Sequence, residues 1–270
     1  MQDQFNVTMK KSNLFLLFIG LFIFPLFSRA GWVIVTRVKG PDGKEKQEML
    51  YIQNNKMKSV SEYTMIYDMN TSELTMMDNT NKKYWKGNTR DYKNGIVEMM
   101  KLRITEEMKT LPESKRPFAE RMYNEAIEKF ISGEGNDTVK VTTEVRKISE
   151  KITIAGYIAQ KYEVWVNNFK KVDMWISDKI NIATDFNYTA FAKFMKELTN
   201  SRSDLSYQAS PEYISLLNKG FSLKSFEADN SLTRETVSVE KKQLTDADFD
   251  IPADYVQSSL SDLLKDQNKN

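Results

Sequence analysis

The side chains best suited to recognition in this 270-residue chain are aromatic and sulfur-bearing. Trp32, Met65, Tyr67, Met76, Tyr84, Trp85, Trp165 and Trp175 fall in stretches that read as β-strands. Methionine is abundant, with 14 copies, and its flexible, polarisable thioether suits pockets that accept apolar ligands of varied shape. A sheet lined with such side chains under helices is suited to holding a hydrophobic small molecule, a lipid or an acyl chain. The same residue types also fill ordinary cores, and that plainer reading stands beside the first.

Other chemistries are closed by composition. The chain has no cysteine and no histidine. Disulfides, thiolate nucleophiles, Ser-His-Asp triads, the common zinc sites and imidazole acid–base work are therefore excluded. Asp246-Ala247-Asp248-Phe249-Asp250 starts like a calcium loop, but Ile251 stands at the glycine position and Gln257 at the bidentate glutamate position. Carboxylates are plentiful without a spacing that marks a glycosidase pair. No serine sits in a G-x-S-x-G setting, and Gly133-Glu134-Gly135 lacks the lysine of a phosphate loop. The expectation is a protein that is not an enzyme, with no metal and no cofactor.

The N-terminus differs from the rest. Leu14 to Phe27 is an unbroken run without a charged or polar side chain, preceded by Lys10-Lys11 and followed by Ser28-Arg29-Ala30. This three-part pattern predicts a signal peptide over residues 1–30, cleaved after Ala30. The run is too short for a membrane-spanning helix, which needs about 20 apolar residues. Met9 makes an alternative start to Met1. The formal charge of +2 comes from 39 basic and 37 acidic residues. Residues 1–30 hold three of the former and one of the latter, leaving 36 of each. A balanced mature chain has no field to steer it to nucleic acid.

Short alternating stretches separated by turn residues predict an antiparallel meander over residues 31–86, with turns at Gly40-Pro41-Asp42-Gly43 and Asn54-Asn55. Residues 91–133 change period. Ile96, Met100, Ile104, Met108 and Leu111, then Phe118, Met122, Ala126 and Phe130, recur at helical spacing and predict two amphipathic helices. Strands return at 138–146, 152–157, 161–166 and 171–177, with a turn at Asn167-Asn168. Residues 180–218 read as helical, with Gly220 as the stop. Residues 221–227 and 232–241 form a last hairpin, and 257–270 a C-terminal helix with a frayed end. The sum is one α+β domain over residues 31–256: a long curved antiparallel sheet, an incomplete β-barrel, with helices packed on one face.

Several stretches carry a family resemblance: Lys56-Met57-Lys58 with Ile66-Tyr67-Asp68 and Met76-Met77-Asp78; Lys83-Tyr84-Trp85; Ile154-Ala155-Gly156-Tyr157 with Tyr162-Glu163-Val164 and Trp175-Ile176-Ser177; and Gly220-Phe221-Ser222-Leu223 with Phe249, Pro252 and Tyr255. In order and spacing the chain resembles a secreted bacterial domain of unknown function related to the periplasmic lipoprotein-carrier superfamily. That resemblance implies an incomplete barrel closed by helices over an apolar cavity. It also implies a periplasmic or secreted protein that binds a lipid or acyl chain without catalysis. A protein-interaction or scaffold module of an envelope assembly is the alternative, and a histidine-free hydrolase the third reading. The leader makes one direct prediction. N-terminal sequencing of the exported protein should begin at Gly31, and a mature chain retaining the apolar run would reject the cleavage.

Overall fold

The computed structural model describes residues 30–132, 141–199 and 207–267. The predicted leader, the Gly133 and Gly135 helix stop, the start of the strand predicted at 138–146 and the chain's last residues fall outside them. Six strands come first: β1 (Gly31–Lys39), β2 (Glu45–Gln53), β3 (Lys56–Val60), β4 (Tyr63–Asp68), β5 (Glu73–Asp78) and β6 (Lys83–Asn88). A helical hairpin follows, α1 (Thr89–Thr110) and α2 (Arg116–Ser132). Then come β7 (Thr143–Ile154), β8 (Tyr157–Val166), β9 (Phe169–Ser177), α3 (Tyr188–Thr199) and α4 (Pro211–Leu217). The chain ends in β10 (Phe221–Glu227), β11 (Leu232–Lys242), β12 (Val256–Gln257) and α5 (Leu260–Gln267).

All twelve strands join one open sheet in the order β12-β6-β5-β4-β3-β2-β1-β11-β10-β9-β8-β7. Every pairing is antiparallel except the two-residue β12–β6 contact. The architecture is the α+β, mostly antiparallel sheet that the strand spacing predicts, and it does not close into a barrel. Local chemistry explains the meander. Asn54-Asn55 and Asn167-Asn168 both take positive φ (51° and 60°, 49° and 67°), which two-residue hairpins require and asparagine tolerates. Ala155-Gly156 (49° and 82°) does the same. This corrects one boundary: residues 152–157 are not a strand but the end of β7, a turn and the start of β8. An alanine at positive φ is uncommon, so only Gly156 marked the turn.

The edges are protected. β7 carries Glu144, Arg146, Lys147, Glu150 and Lys151, charges that discourage pairing with another chain. The other edge, β6, is capped by β12.

Both faces are covered, by different material. On one, α3 and α5 pack Phe194, Leu198, Leu260 and Leu263 against Leu74, Met76 and Trp85. On the other, the segment after β11 packs Leu244 and Phe249 on Ile66 and Met77. Helix α1 is anchored only near its start. Asn88 and Asp91 form a capping box, Tyr92 and Ile96 join the α3–α5 cluster, and Gly95 lies so close to α5 that a Cβ would sit 2.8 Å from Leu260. Beyond that turn α1 packs mainly on α2 and buries no residue fully. The helices predicted to lie on the sheet thus project from it as a hairpin. The stripe predicted on α2 is also turned: Phe118 and Met122 are 60% and 54% exposed, while Ile127 is buried.

Gly220 joins α4 to β10 with φ +156°, and a Cβ there would lie 2.1 Å from the Ser177 carbonyl oxygen. No side chain fits without moving β9 or the α4–β10 connection. Gly220→Ala should therefore destabilise by about 2–4 kcal/mol in urea unfolding, and an unchanged midpoint would show that the junction is loose.

Candidate functional site

Seven adjacent strands, β4-β3-β2-β1-β11-β10-β9, present alternate residues to one cavity of about 430 Å³. Its floor is Leu50 and Ile52 of β2, Met57 of β3, Met65 and Tyr67 of β4 and Leu223 of β10. Val172 and Met174 of β9 close the far side, and Tyr188, Phe191, Tyr213 and Leu217 of α3 and α4 form the roof. Laid flat, β4 and β9 would be about 29 Å apart at the usual strand spacing. Sharing one cavity of this size therefore requires a strongly curved sheet.

The roof is placed by the residues ahead of it. Phe186 is 1% exposed and stacks on Tyr188 and Phe191, with ring centroids 5.7 and 5.3 Å away. Phe191 meets Tyr67 across the cavity edge at 5.2 Å, ring edge to ring face. Ser210 caps α4 through the Tyr213 N–H, with Pro211 at its first turn.

A polar margin interrupts the apolar wall. Ser59 donates to Glu48 at 2.5 Å, Arg234 pairs with Glu227, and Thr36 and Thr236 sit between them in register. Three tyrosines bring phenols into otherwise apolar surroundings. Burial pushes Tyr67 up to about 12, helped by Tyr92 and Glu48, and burial likewise raises Tyr188 and Tyr213. A second, more polar cleft of about 480 Å³ adjoins the first through Tyr188 and includes Asn54, Asn55, Asn70, Asn187 and Asn218.

The eight residues singled out by type are dispersed. Met65 and Tyr67 line the cavity. Met76 and Trp85 share their sheet face, in one cross-strand row with Met65, but lie beyond the cavity under α3 and α5. Trp32 is in row with Ile52, yet is buried in the adjoining packed core and donates to Asp185 at 2.9 Å. Tyr84 faces the opposite side, among Leu244, Phe249 and Tyr255. Trp165 alternates with the cavity-side Val164 and points away, while Trp175 is buried in the same packed core as Trp32, Ile52 and Leu223 without lining the cavity. Trp165 donates to Glu163 at 2.9 Å under Arg146, and Trp175 to Glu150 at 2.8 Å beside Lys161 and Lys224. The residues missed are the cavity's aliphatic floor and its helix tyrosines. For the floor, parity along each strand was the available signal.

The acidic turn is accounted for locally. Asp248 accepts from Thr245 N–H at 2.7 Å and its hydroxyl at 3.0 Å, and Asp246 pairs with Lys56 at 3.2 Å. Among the described residues no group of three or more acidic side chains converges on a metal position. No helix among them is long and apolar enough to cross a membrane.

Residues 97–255 match the profile of a family described as "Domain of unknown function (DUF4412)". The chain belongs to that family. The match begins within α1 and ends just before β12, so β1–β6, of which β1–β4 supply eight of the cavity's 21 lining residues, precede it. No curated protein matches the chain. Among solved structures, similarity extends to PNGF-II, at 14% identity and TM-score 0.38 over 87% of this chain and 32% of that one. MucB matches at 6% identity and TM-score 0.32, over 84% of this chain and 59% of MucB. A LolA superfamily protein of Nitrosomonas europaea matches at 10% identity and TM-score 0.25, over 82% and 90%. The chain thus spans a third of the PNGF-II chain and three fifths of MucB.

The raised tyrosines predict alkaline sensitivity. Below the ordinary phenol value of about 10, folded and unfolded chains hold these protons alike. Above it the unfolded chain releases protons that the folded chain keeps, so stability falls with pH. Between pH 10 and 12 Tyr67 alone should remove about 2–3 kcal/mol. Urea midpoints that stay level over that range would contradict this.

Proposed function

We propose that this chain is an exported, non-catalytic protein that holds a hydrophobic ligand, a lipid or acyl chain, between its sheet and helices α3 and α4. The observation that carries the reading is the cavity of about 430 Å³ with Leu50, Ile52, Met57, Met174 and Leu223 on its walls. Its volume lies within the roughly 300–1,000 Å³ of small-molecule sites. The aliphatic part of its wall offers water few partners. The leader pattern of residues 1–30 supports action in the periplasm or outside the cell.

A second reading, an interaction module of an envelope assembly, is favoured by one observation. Phe118, Met122 and Ile131 of α2 are exposed at 54–60%. The two readings use different surfaces and separate cleanly.

Ser225 lines the cavity from β10 and is half-buried. Ser225→Trp should fill the cavity and weaken binding of an apolar fluorophore at least about tenfold, a change of about 1.4 kcal/mol. Native mass spectrometry of the protein from its own periplasm should show a co-purifying lipid. A lipid-free protein whose dye binding Ser225→Trp leaves unaltered would overturn the reading.

A further inference from the structure

The cavity is not uniformly greasy, and three phenols stand in its otherwise apolar part. Tyr67 from the sheet, Tyr188 from α3 and Tyr213 from α4 all line it. The Tyr67 hydroxyl donates only to the Met65 sulfur at 3.1 Å, a weak acceptor. No hydrogen bond is found for the Tyr188 or Tyr213 hydroxyl among the described residues. Both side chains are half-buried and line the cavity. The two phenols are near enough that ionising Tyr188 would raise Tyr213 further. A phenol that the protein leaves unpaired beside a cavity takes its acceptor from water or from a ligand.

The charges around the cavity narrow what would pair them. Arg234 is engaged by Glu227, which also accepts from Asn230 at 2.9 Å. Among the described residues Glu48 holds only the Ser59 hydroxyl, at 2.5 Å. The lining thus carries two carboxylates against one guanidinium. A second anion placed here would be desolvated beside net negative charge.

We infer that the ligand is an uncharged acyl ester or amide, whose carbonyl oxygens accept from the Tyr188 and Tyr213 hydroxyls while its chain lies along Leu50, Met57 and Leu223. This rests on the hydrophobic-ligand reading and adds the head-group chemistry to it. High phenol pKa values keep these tyrosines as donors throughout the physiological range.

The test is displacement of an uncharged naphthylamine dye from the full mature chain by monolaurin and, separately, by laurate at pH 8. Monolaurin should displace it at least about tenfold more effectively. In Tyr188→Phe and Tyr213→Phe the ratio of monolaurin to laurate affinity should shrink about three- to tenfold each, the span of one hydrogen bond. Tyr84→Phe, on the opposite sheet face, should leave that ratio unchanged, with circular dichroism reporting that each variant folds. If the wild-type chain does not bind the dye, the cavity reading falls and this inference with it. If the dye binds but laurate equals or exceeds monolaurin, or the ratio survives both substitutions, the inference falls alone.

Discussion

The structure depends on one junction, where the loop ahead of α3 is tied to the β2–β3 turn. The Asn55 backbone N–H donates to the Asp185 carbonyl at 2.8 Å, and the Asn187 N–H donates to the Asn55 side chain at 2.8 Å. The Trp32 indole N–H donates to the Asp185 carboxylate at 2.9 Å. Asn55 makes these bonds from a left-handed conformation, φ 60°, that the hairpin imposes anyway. One turn therefore sets both the β2–β3 register and the position of the roof. A twelve-stranded sheet with an apolar face needs cover, and the cover between β9 and β10 is held at this junction and again at Gly220.

Fixing the roof at its ends explains why a cavity exists. Ile180, Ile182 and Phe186 fill the core beside the junction, at 0–1% exposure. Past it, α3 and α4 span the curve of the sheet, meeting it through ring edges such as Phe191 on Tyr67. A flat sheet would let two helices settle onto its surface. This one bends away beneath them, and the side chains available on the floor, Leu50, Met57 and Leu223, are too short to fill the gap.

Much of the fold was legible because strands, turns and helices leave periodic marks: alternation in β1–β6, asparagine pairs at two hairpins, fourfold spacing in α1. The site was less so, for a reason visible in the tryptophans. A buried indole needs an acceptor for its N–H, and Trp32, Trp165 and Trp175 each found a carboxylate, Asp185, Glu163 and Glu150. That requirement draws tryptophan to places where apolar surface meets charge and away from an aliphatic wall. Residue type singled out the rings, whereas strand parity from Met65 and Tyr67 leads through the register to Met57, Ser59 and Leu50. The helix tyrosines carried no such mark, since Tyr188 and Tyr213 reach the cavity only through the placement of α3 and α4.

The helical hairpin makes the complementary point. Phe118, Met122, Ala126 and Phe130 form a stripe by spacing, yet on α2 Ala119, Tyr123, Ile127 and Phe130 are wholly or partly buried, with Tyr123 donating to Glu107 of α1 at 2.5 Å. The two stripes overlap at Phe130 and diverge by about a quarter turn, since each residue advances 100° around a helix. Helix α2 is apolar over a wider arc than one partner can cover. On the sheet such an arc would be buried from both sides; on a hairpin anchored only through Tyr92, Gly95 and Ile96 it cannot be. The exposed part of α2 thus follows from where α1 is anchored, and it lies on a surface that shares no residue with the cavity.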